Sequence, residues 1–474
     1  MGTLKLIWDV HQARKFGQAE IEKRQKERFN EIVTFARKNS LFYQKLYKDL
    51  PNPLTDIRIL PVASKKALMA NFNDWTTDRE VTIEKARDFV NDPSLIGAWF
   101  LGRYTIATTS GTTGTPGIFL IDDFSFSVTK AISTRMLSTW LKPLDLLKIA
   151  SKRARMAMLM ATEGHYASSV AAARMVKKQG KKLKLVEALS VHMPMNEIVN
   201  RLNKFQPAIL APYASMASLL ANEQEAGRLK ISPALIALSA EGLPLDEYAR
   251  IAKIFGSKVG NSYASTECPF LSHSCNYDWL HVNSDWVILE VVNAKYEPVP
   301  PGEQSHTVLI TNLANRIQPI LRYDLGDSVI QRPDPCPCGS PFPAIRVQGR
   351  SADVLVFKDR ENRDVSIPPL ALDLDDIPGV ELFQIVQVDP EKLCLHLQLK
   401  NGANLKTARD AAERAIKNIL NRQGLDHVIV EHSKELPKQS SGGKFRKIVP
   451  LQKLAQGSKE VTSSKGHDIE IGSK

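Results

Sequence analysis

The amino-acid sequence predicts an α/β protein with a large N-terminal body of several sheets and a small α+β domain at its C-terminal end. Short apolar runs alternate with helical spacings from about residue 104 to residue 349, which is typical of a largely parallel α/β core. A more compact pattern follows Gln348-Gly349-Arg350. The chain of 474 residues is also too long for one core, because domains typically hold about 100–200 residues.

The first region of the chain is predicted to be helical. Its apolar residues recur at the i, i+3, i+4, i+7 spacing of one helix face, with charged residues between them. Pro51 and Pro53 end the region, because proline interrupts helices and favours turns. The apolar positions are Phe29, Ile32, Val33 and Ala36.

The central region combines helices with buried strands. One helix must stop before Pro207, because the residue before a proline disfavours helical backbone. Two uninterrupted apolar runs, VILEVV at 287–292 and TVLIT at 307–311, are predicted to be buried strands. The apolar face of the helix consists of Met195, Ile198, Val199 and Leu202.

The last part of the chain predicts a β-β-α-β unit and then a polar tail. The predicted elements are strands at 382–388 and 393–399, a helix at 405–420 closed by Gly424, and a strand at 427–430. From about residue 456 the sequence is rich in Ser, Lys and Gly, which predicts disorder. The expected division is therefore a large domain at 1–348, a small domain at 349–455 and a disordered tail at 456–474.

Composition bounds the possible classes of function. Lys plus Arg outnumber Asp plus Glu by 63 to 51, and the net charge of +12 suits a polyanionic ligand such as a nucleotide. A nucleic-acid-binding protein is the alternative from another class, but the basic residues form no aromatic-interleaved patch and no groove-reading module. Five cysteines, an odd number, indicate a reducing compartment, and no spanning or targeting segment is present. We expect a cytoplasmic protein without nucleic-acid partners.

A Thr/Gly-rich segment, TTSGTTGTPG at 108–117, is the most informative motif. Glycines let backbone N–H groups approach an anion, and the hydroxyls add further donors. No Gly-Lys-Ser/Thr step ends the segment, so it is not a Walker A loop. The alternative is a flexible surface turn, but the density of hydroxyls and spaced glycines after an apolar run favours phosphate binding.

Three further segments carry polar chemistry. NSYASTE at 261–267 offers an aromatic ring, hydroxyls and a carboxylate suited to a hard cation. RYDLGD at 322–327 offers carboxylates that could accept ribose hydroxyls. SGGKFR at 441–446 places a lysine on a glycine loop, where it could stabilise charge at a reacting phosphate. Each segment has an ordinary structural explanation when taken alone. The occurrence of all of them in this order along the chain is stronger evidence for a binding function.

The order of these four motifs resembles that of the adenylate-forming (AMP-forming acyl-CoA synthetase-like) superfamily. Within it, the chain is most similar to the branch of phenylacetate-CoA ligases and deazaflavin-cofactor synthetases. The resemblance runs from about residue 29 to residue 449 and includes NSLFY at 39–43 and Leu60-Pro61. It implies a multi-sheet body of the adenylate-forming type that binds ATP and substrate, and a small mobile domain that carries a catalytic lysine.

The resemblance also implies which residues bind the nucleotide. The residues that would cradle the β- and γ-phosphates of ATP are Thr109, Ser110, Gly111, Thr112, Thr113 and Gly114. The residues that match the loop beside the adenine are Ser239, Ala240, Glu241 and Gly242. Tyr263 would pack near the adenine, and Asp327 and Arg350 would bind the ribose hydroxyls.

For the reaction itself, the resemblance implies three catalytic residues. Thr266 would contact the α-phosphate, Glu267 would hold Mg²⁺, and Lys444 would bridge the acyl carboxylate and the α-phosphate. The sequence departs from the pattern at Gly117, where many members carry a lysine, and at Ala352, where a hinge acid is usual. The hinge change keeps open a non-catalytic nucleotide sensor.

The expected activity is that of an AMP-forming acid–thiol ligase, resembling phenylacetate-CoA ligase. An aryl or acyl carboxylic acid would react with ATP-Mg²⁺ to an acyl-adenylate, and coenzyme A would accept the acyl group. The alternative keeps adenylation but changes the acceptor to an amine, a carrier-protein thiol or a cofactor hydroxyl, as in the deazaflavin synthetases. A homodimer is the default expectation for a soluble protein of this kind.

A second group of residues predicts a structural zinc site. Cys336 and Cys338 form a C-x-C pair, and Cys275 and His281 lie upstream, close after the NSYASTE segment. Three cysteines and one histidine complete a tetrahedral set without an open position, which is typical of structural Zn²⁺. The alternative is a set of free buried thiols and a core histidine. Cys268, next to Glu267, is a competing ligand.

Overall fold

The computed structural model of the chain describes residues 2–54, 56–109, 116–179, 184–240, 242–243, 245–350, 355–367, 372, 374, 377–438 and 445–451. For residues 350, 364 and 366 the description covers the backbone alone. The predicted tail at 456–474, Lys444 and most of the Thr/Gly-rich loop therefore lie outside the described residues.

The N-terminal region is helical, as the sequence predicts. The predicted apolar face at residues 29–36 is buried in the main core. Ser40 ends one helix and starts the next, because its side chain accepts a hydrogen bond from the amide of Tyr43. The helices are α1 (Thr3–Phe16), α2 (Gln18–Asn39), α3 (Leu41–Leu46), α4 (Lys65–Ala70), α5 (Phe72–Trp75) and α6 (Ile83–Asn91).

The body contains strands and helices in the predicted order. The apolar helix before Pro207 and the two apolar strands are confirmed as α10, β10 and β11. The helices are α7 (Asp123–Trp140), α8 (Pro143–Ser151), α9 (Ala167–Gln179), α10 (Met195–Phe205), α11 (Ala214–Glu225) and α12 (Leu245–Phe255). The strands are β1 (Thr105–Thr108), β2 (Ile118–Ile121), β3 (Met156–Met160), β4 (Val186–Ser190), β5 (Ile209–Pro212), β6 (Leu235–Leu238), β7 (Lys258–Tyr263), β8 (Ser272–Ser274), β9 (Leu280–Val282), β10 (Val287–Val292), β11 (Thr307–Asn312), β12 (Tyr323–Asp324), β13 (Asp327–Gln331) and β14 (Ala344–Arg350).

The main sheet is mixed, which corrects the expectation of a largely parallel core. Its nine strands follow the order β13-β14-β9-β8-β7-β6-β5-β3-β4. Strands β3 to β7 pair in parallel because helices connect them, whereas β8, β9, β13 and β14 pair antiparallel. Since β4 and β5 lie on opposite sides of β3, the topological switch point is at the C-terminal ends of β3 and β5.

The C-terminal part forms a sheet of order β19-β18-β17-β20 with its own apolar core. The first two predicted strands, the helix and its end at Gly424 are confirmed. The third strand begins two residues later than predicted, and a short parallel strand was not predicted. The elements are β15 (Leu355–Lys358), β16 (Asp364–Ile367), β17 (Val380–Asp389), β18 (Lys392–Leu399), α13 (Leu405–Arg422), β19 (Ile429–His432) and β20 (Ile448–Val449). The domain boundaries stay a prediction.

A buried ion pair joins the N-terminal helices to the body. The guanidinium of Arg135 in α7 is 1% exposed and donates to both carboxylate oxygens of Asp285, at 2.8 and 2.9 Å. It also donates to Asn283 at 2.7 Å and to the carbonyl oxygen of Val10 in α1 at 3.1 Å. These bonds satisfy two charges that would otherwise be costly to bury.

We predict that Arg135→Met lowers the free energy of unfolding by about 3–5 kcal/mol, because the carboxylate of Asp285 would stay buried without its cation. Chemical denaturation followed by circular dichroism measures the loss. Arg58→Met is the control, because it removes an ion pair with Asp56 that is open to solvent. Similar losses in both variants would contradict the assigned importance of burial.

Candidate active site and metal cluster

Described residues from each of the four sequence motifs line one cleft of about 2270 Å³. The cleft opens beside the C-terminal ends of β6 and β7, on the side of the sheet where α/β folds bind ligands. Its wall includes Thr109, the segments at 261–267 and 323–327, and residues 445–448 of the small sheet. Segments that are distant in the sequence therefore meet at one place.

Hydrogen bonds close the base of the Thr/Gly-rich loop. The amide of Thr109 donates to the carbonyl oxygen of Gly117 at 2.9 Å, and the amide of Gly117 donates to Oγ1 of Thr109 at 2.8 Å. Strands β1 and β2 continue this pairing, with Thr108 opposite Ile118. The predicted phosphate ligands Ser110, Gly111, Thr112, Thr113 and Gly114 lie outside the described residues.

Two tyrosine–carboxylate pairs organise the centre of the cleft. The hydroxyl of Tyr263 donates to Oδ2 of Asp327 at 2.6 Å, and the hydroxyl of Tyr323 donates to Oε1 of Glu267 at 2.8 Å. Asp327 also pairs directly with Arg350 in the register of β13 and β14. The two residues predicted to bind the ribose are thus neighbours in the sheet, and the residue predicted to hold Mg²⁺ is held by a tyrosine.

The predicted residues beside the adenine are partly described. Ala240 and Gly242 line the cleft, whereas Glu241 lies outside the described residues. Ala240 has a φ of 72°, so the backbone there turns sharply after β6. Thr266 is half-buried and also lines the cleft, next to Glu267.

Asn261 is the first residue of the NSYASTE segment and lines the cleft, and the sequence predicted no role for it. Its Nδ2 donates to the hydroxyl of Tyr248 at 3.0 Å, while its Oδ1 is buried and has no hydrogen-bond partner among the described residues. The Tyr248 hydroxyl also accepts a bond from the amide of Leu243 at 3.2 Å, and burial raises the pKa of this tyrosine. The site therefore presents a fixed acceptor that a ligand could satisfy.

Lys65 at the start of α4 is a second residue without a predicted role. It lines the cleft, and a Cβ at Gly117 would lie 3.3 Å from its Cδ and 2.6 Å from Cε2 of Phe119. The adjoining Ala63 pairs with Tyr323, whose hydroxyl binds Glu267. A side chain at 117 would collide with Phe119, so glycine is required there, and Lys65 lies beside the base of the loop.

Gln384 in β17 ties together the chain on both sides of residues 439–444. Its Nε2 donates to the carbonyl oxygens of Lys438 and Arg446, at 3.0 and 2.9 Å. Its Oε1 accepts a bond from the amide of Lys438 at 3.2 Å. Lys444 itself and Ala352 lie outside the described residues, so their predicted roles are untested.

The predicted metal ligands form a cluster. The ligand atoms of Cys275, His281, Cys336 and Cys338 all lie within 4.8 Å of one another. The two Sγ atoms of Cys275 and Cys336 are 3.7 Å apart, and Sγ of Cys338 is 3.1 Å from Nε2 of His281. A tetrahedral zinc ion about 2.3 Å from each sulfur would separate two sulfurs by about 3.8 Å. The arrangement is therefore close to a tetrahedral metal site.

Hydrogen bonds to His281 and Cys275 favour the binding of a cation by the cluster. Nδ1 of His281 donates to the carbonyl oxygen of Phe342 at 2.8 Å, which leaves the lone pair of Nε2 directed at the thiols. Burial opposes ionisation of Cys275, but the imidazole of His281 and hydrogen bonds from the amides of Tyr277 and Trp279 lower the pKa of this thiol. These contacts favour a thiolate at this position.

The other cysteines do not join the cluster. Cys268 is fully buried, and burial raises the pKa of its thiol, so it is not a competing ligand in this arrangement. Cys394 lies in β18 of the small sheet. The sequence predicted the four members of the cluster. The pairing of β9 with β14 shows how the cluster forms, because it places Ala344 opposite His281 and so brings the preceding C-x-C loop close to His281.

Comparison with known proteins gives one distant relative by sequence. No family model matches the chain. Protein CapK of Staphylococcus aureus is 26% identical over 215 residues, which cover 44% of this chain and 45% of CapK. The chain thus matches less than half the length of this curated relative. Among the described residues, no helix is long and apolar enough to cross a membrane.

Solved structures match most of the chain. 2-Hydroxyisobutyryl-CoA ligase in the postadenylation state, in complex with R3-HIB-AMP, has a TM-score of 0.63 at 18% identity and covers 91% of this chain and 89% of its own. An open conformation of the same ligase, with 2-HIB-AMP and CoA, has a TM-score of 0.54 at 19% identity and covers 92% of both chains. The α/β architecture with its mixed sheets is therefore the fold of this ligase.

Proposed function

We propose that this protein is an AMP-forming ligase that joins a carboxylic acid, aryl or acyl, to coenzyme A. In the first step a carboxylate oxygen attacks the α-phosphorus of ATP, and pyrophosphate leaves with the electrons of the broken P–O bond. In the second step the thiolate sulfur of coenzyme A attacks the acyl carbonyl, and AMP leaves. The observation that carries the proposal is the meeting of all four motifs in one cleft.

The nucleotide would lie along the C-terminal ends of β6 and β7. Oδ1 of Asn261 would accept a hydrogen bond from the amino group of adenine, which would satisfy its buried acceptor. Asp327 would accept the ribose hydroxyls, with its carboxylate held by Tyr263. Tyr263 would present its ring to the base.

The triphosphate requires cations, since it carries several negative charges into a partly enclosed cleft. Glu267 would bind Mg²⁺, and the hydroxyl of Tyr323 orients the carboxylate. Lys65 would bind the β- and γ-phosphates at the base of the Thr/Gly-rich loop, beside Gly117. A lysine from α4 would thus supply the charge that this loop lacks.

Lys444 would stabilise the charge that develops between the attacking carboxylate and the α-phosphate. The hydrogen bonds of Gln384 support this role, because they join the residues on the two sides of 439–444, and Phe445 and Arg446 line the cleft. Phosphoryl-type chemistry needs positioned charges more than covalent catalysis, so one lysine, one metal ion and a donor-rich loop suffice.

The alternative acceptor is an amine, a carrier-protein thiol or a cofactor hydroxyl. Coenzyme A is favoured because the ligase with the same fold was solved in complex with 2-HIB-AMP and CoA. Mass spectrometry of products with each acceptor separates the cases. A thioester of coenzyme A is the expected product, and an amide or an adenylylated hydroxyl would indicate the alternative.

The cysteine cluster would hold one structural zinc ion. Three thiolates and Nε2 of His281 leave no open position, so this ion would stabilise the loop at 336–338 against β9 rather than take part in the reaction. The hydrogen bond from His281 to Phe342 is the outer contact that such sites commonly have.

The first prediction from the proposed function concerns Lys444. Lys444→Ala should reduce ATP–pyrophosphate exchange by on the order of a hundredfold or more, because a transition-state charge loses its partner. Lys434→Ala is the control, since this lysine is exposed. Unchanged exchange in the Lys444 variant would refute its role, and a lack of exchange by the wild type with all acids tested would favour a nucleotide sensor.

The second prediction concerns Lys65. Lys65→Ala should weaken ATP binding by about 10- to 100-fold, as expected for a lost charge-assisted contact, and should affect AMP little. Isothermal titration calorimetry measures both ligands. The matched control is Lys66→Ala, because Lys66 is the next residue of α4 and is exposed. Equal losses for ATP and AMP would place Lys65 away from the β- and γ-phosphates.

The third prediction concerns the metal. Protein purified without chelators should contain about one zinc ion per chain. Cys336→Ser and Cys338→Ser should lose the metal and lower the melting temperature, whereas Cys394→Ser should keep it. Elemental analysis and thermal unfolding provide the two readouts. If the wild type contains no metal and has the same melting temperature as the cysteine variants, the cluster consists of free thiols.

A further inference from the structure

Helix α8 turns its apolar residues toward solvent. Leu144, Leu146 and Leu147 are 72%, 54% and 66% exposed. The buried residues of this nine-residue helix are Asp145 and Ile149. A surface helix normally buries its apolar face and exposes its charges, so the pattern of α8 is inverted.

The inner contacts of α8 hold it in this orientation. Oδ2 of Asp145 accepts a hydrogen bond from the amide of Lys142 at 2.9 Å, which closes the first turn. Ile149 packs against Ala208 and Ala234 in a small apolar cluster. Rotation of the helix would break the cap and expose Ile149, so the leucines stay on the outside.

Positive charge surrounds the exposed leucines. Lys142, Lys148 and Arg153 are exposed at the two ends and the edge of α8. Asp145 is the only acidic residue between positions 124 and 162, and its carboxylate is turned inward. This segment therefore presents an apolar surface with a basic border and no exposed acid of its own.

We propose that α8 docks this protein on an anionic lipid bilayer. The three leucines would enter the boundary between headgroups and acyl chains, and the three basic residues would contact lipid phosphates. Charge complementarity selects this partner over a second copy of the chain. A twofold contact through α8 would bring Lys142, Lys148 and Arg153 of both copies together, and like charges oppose such an interface.

Docking would hold the protein at the bilayer without a spanning segment. The proposal does not depend on the proposed function, because α8 contributes no residue to the cleft. A single short helix gives weak and reversible binding, which salt weakens further because the charges are exposed.

Flotation of the full chain with vesicles tests the proposal. The wild type should float with vesicles of phosphatidylcholine mixed with phosphatidylglycerol, and much less with phosphatidylcholine alone. Leu144→Ser combined with Leu147→Ser should abolish flotation. Lys148→Glu should weaken it by roughly fivefold or more, which corresponds to about 1 kcal/mol for each basic residue near an anionic surface.

Matched controls come from exposed leucines of the small sheet region. Leu405→Ser and Leu436→Ser remove side chains that are 47% and 59% exposed and should leave flotation unchanged. Circular dichroism confirms that each variant is folded. Absence of wild-type flotation, or equal loss in the controls, would overturn the proposal. A concentration-dependent dimer in light scattering that the Leu144/Leu147 variant abolishes would also overturn it, because α8 would then be a protein interface.

Discussion

The guanidinium of Arg322 is buried, and its hydrogen bonds hold the N-terminal region against the cleft of the candidate active site. It donates to Glu290 at 3.1 Å and to the carbonyl oxygens of Arg58 and Leu60 at 2.9 and 2.8 Å. A buried cation without these acceptors would be strongly destabilising, so the chain before α4 must lie along β12. That constraint pairs Ala63 with Tyr323, places Tyr323 against Glu267 and brings Lys65 to the base of the Thr/Gly-rich loop.

Residues 318 and 319, just before Arg322 in the chain, connect further parts of the body through hydrogen bonds. The carbonyl oxygen of Pro319 accepts bonds from the side chains of Tyr43 and Trp75, at 2.9 and 2.8 Å. The amide of Leu120 in β2 donates to Oε1 of Gln318 at 2.6 Å. One irregular stretch thus connects the N-terminal helices, the β1–β2 hairpin at the base of the Thr/Gly-rich loop, and the carboxylates of the cleft. The proposed chemistry needs this rigidity, because charges must be in position before the phosphate reacts.

Elements with strong local patterns were predictable from the sequence. The apolar spacing of α10, the alternation of Leu393, Leu395 and Leu397 in β18, and the glycine after α13 each depend on residues within one element. The mixed sheet was not predictable, because β8 and β9 have three residues each and carry no periodicity. Their direction follows from the antiparallel pairing of β7, β8 and β9, and β20 depends on a parallel partner far away in the chain.

The sequence by itself determined the motifs of the cleft, the metal-ligand set and the small C-terminal unit, because each is recognisable from residue types over a short span. Only the tertiary structure decided which other residues join them. Lys65 becomes a neighbour of the motifs through sheet pairing and the buried Arg322, and no local pattern marks it. Asn261 belongs to the NSYASTE segment, but the burial of its Oδ1 and its contact with Tyr248 are tertiary facts. The outward leucines of α8 are likewise a tertiary result, since the apolar sequence of that helix would by itself predict burial. Its inverted orientation arises because Asp145 caps the first turn and Ile149 fills the space beneath it.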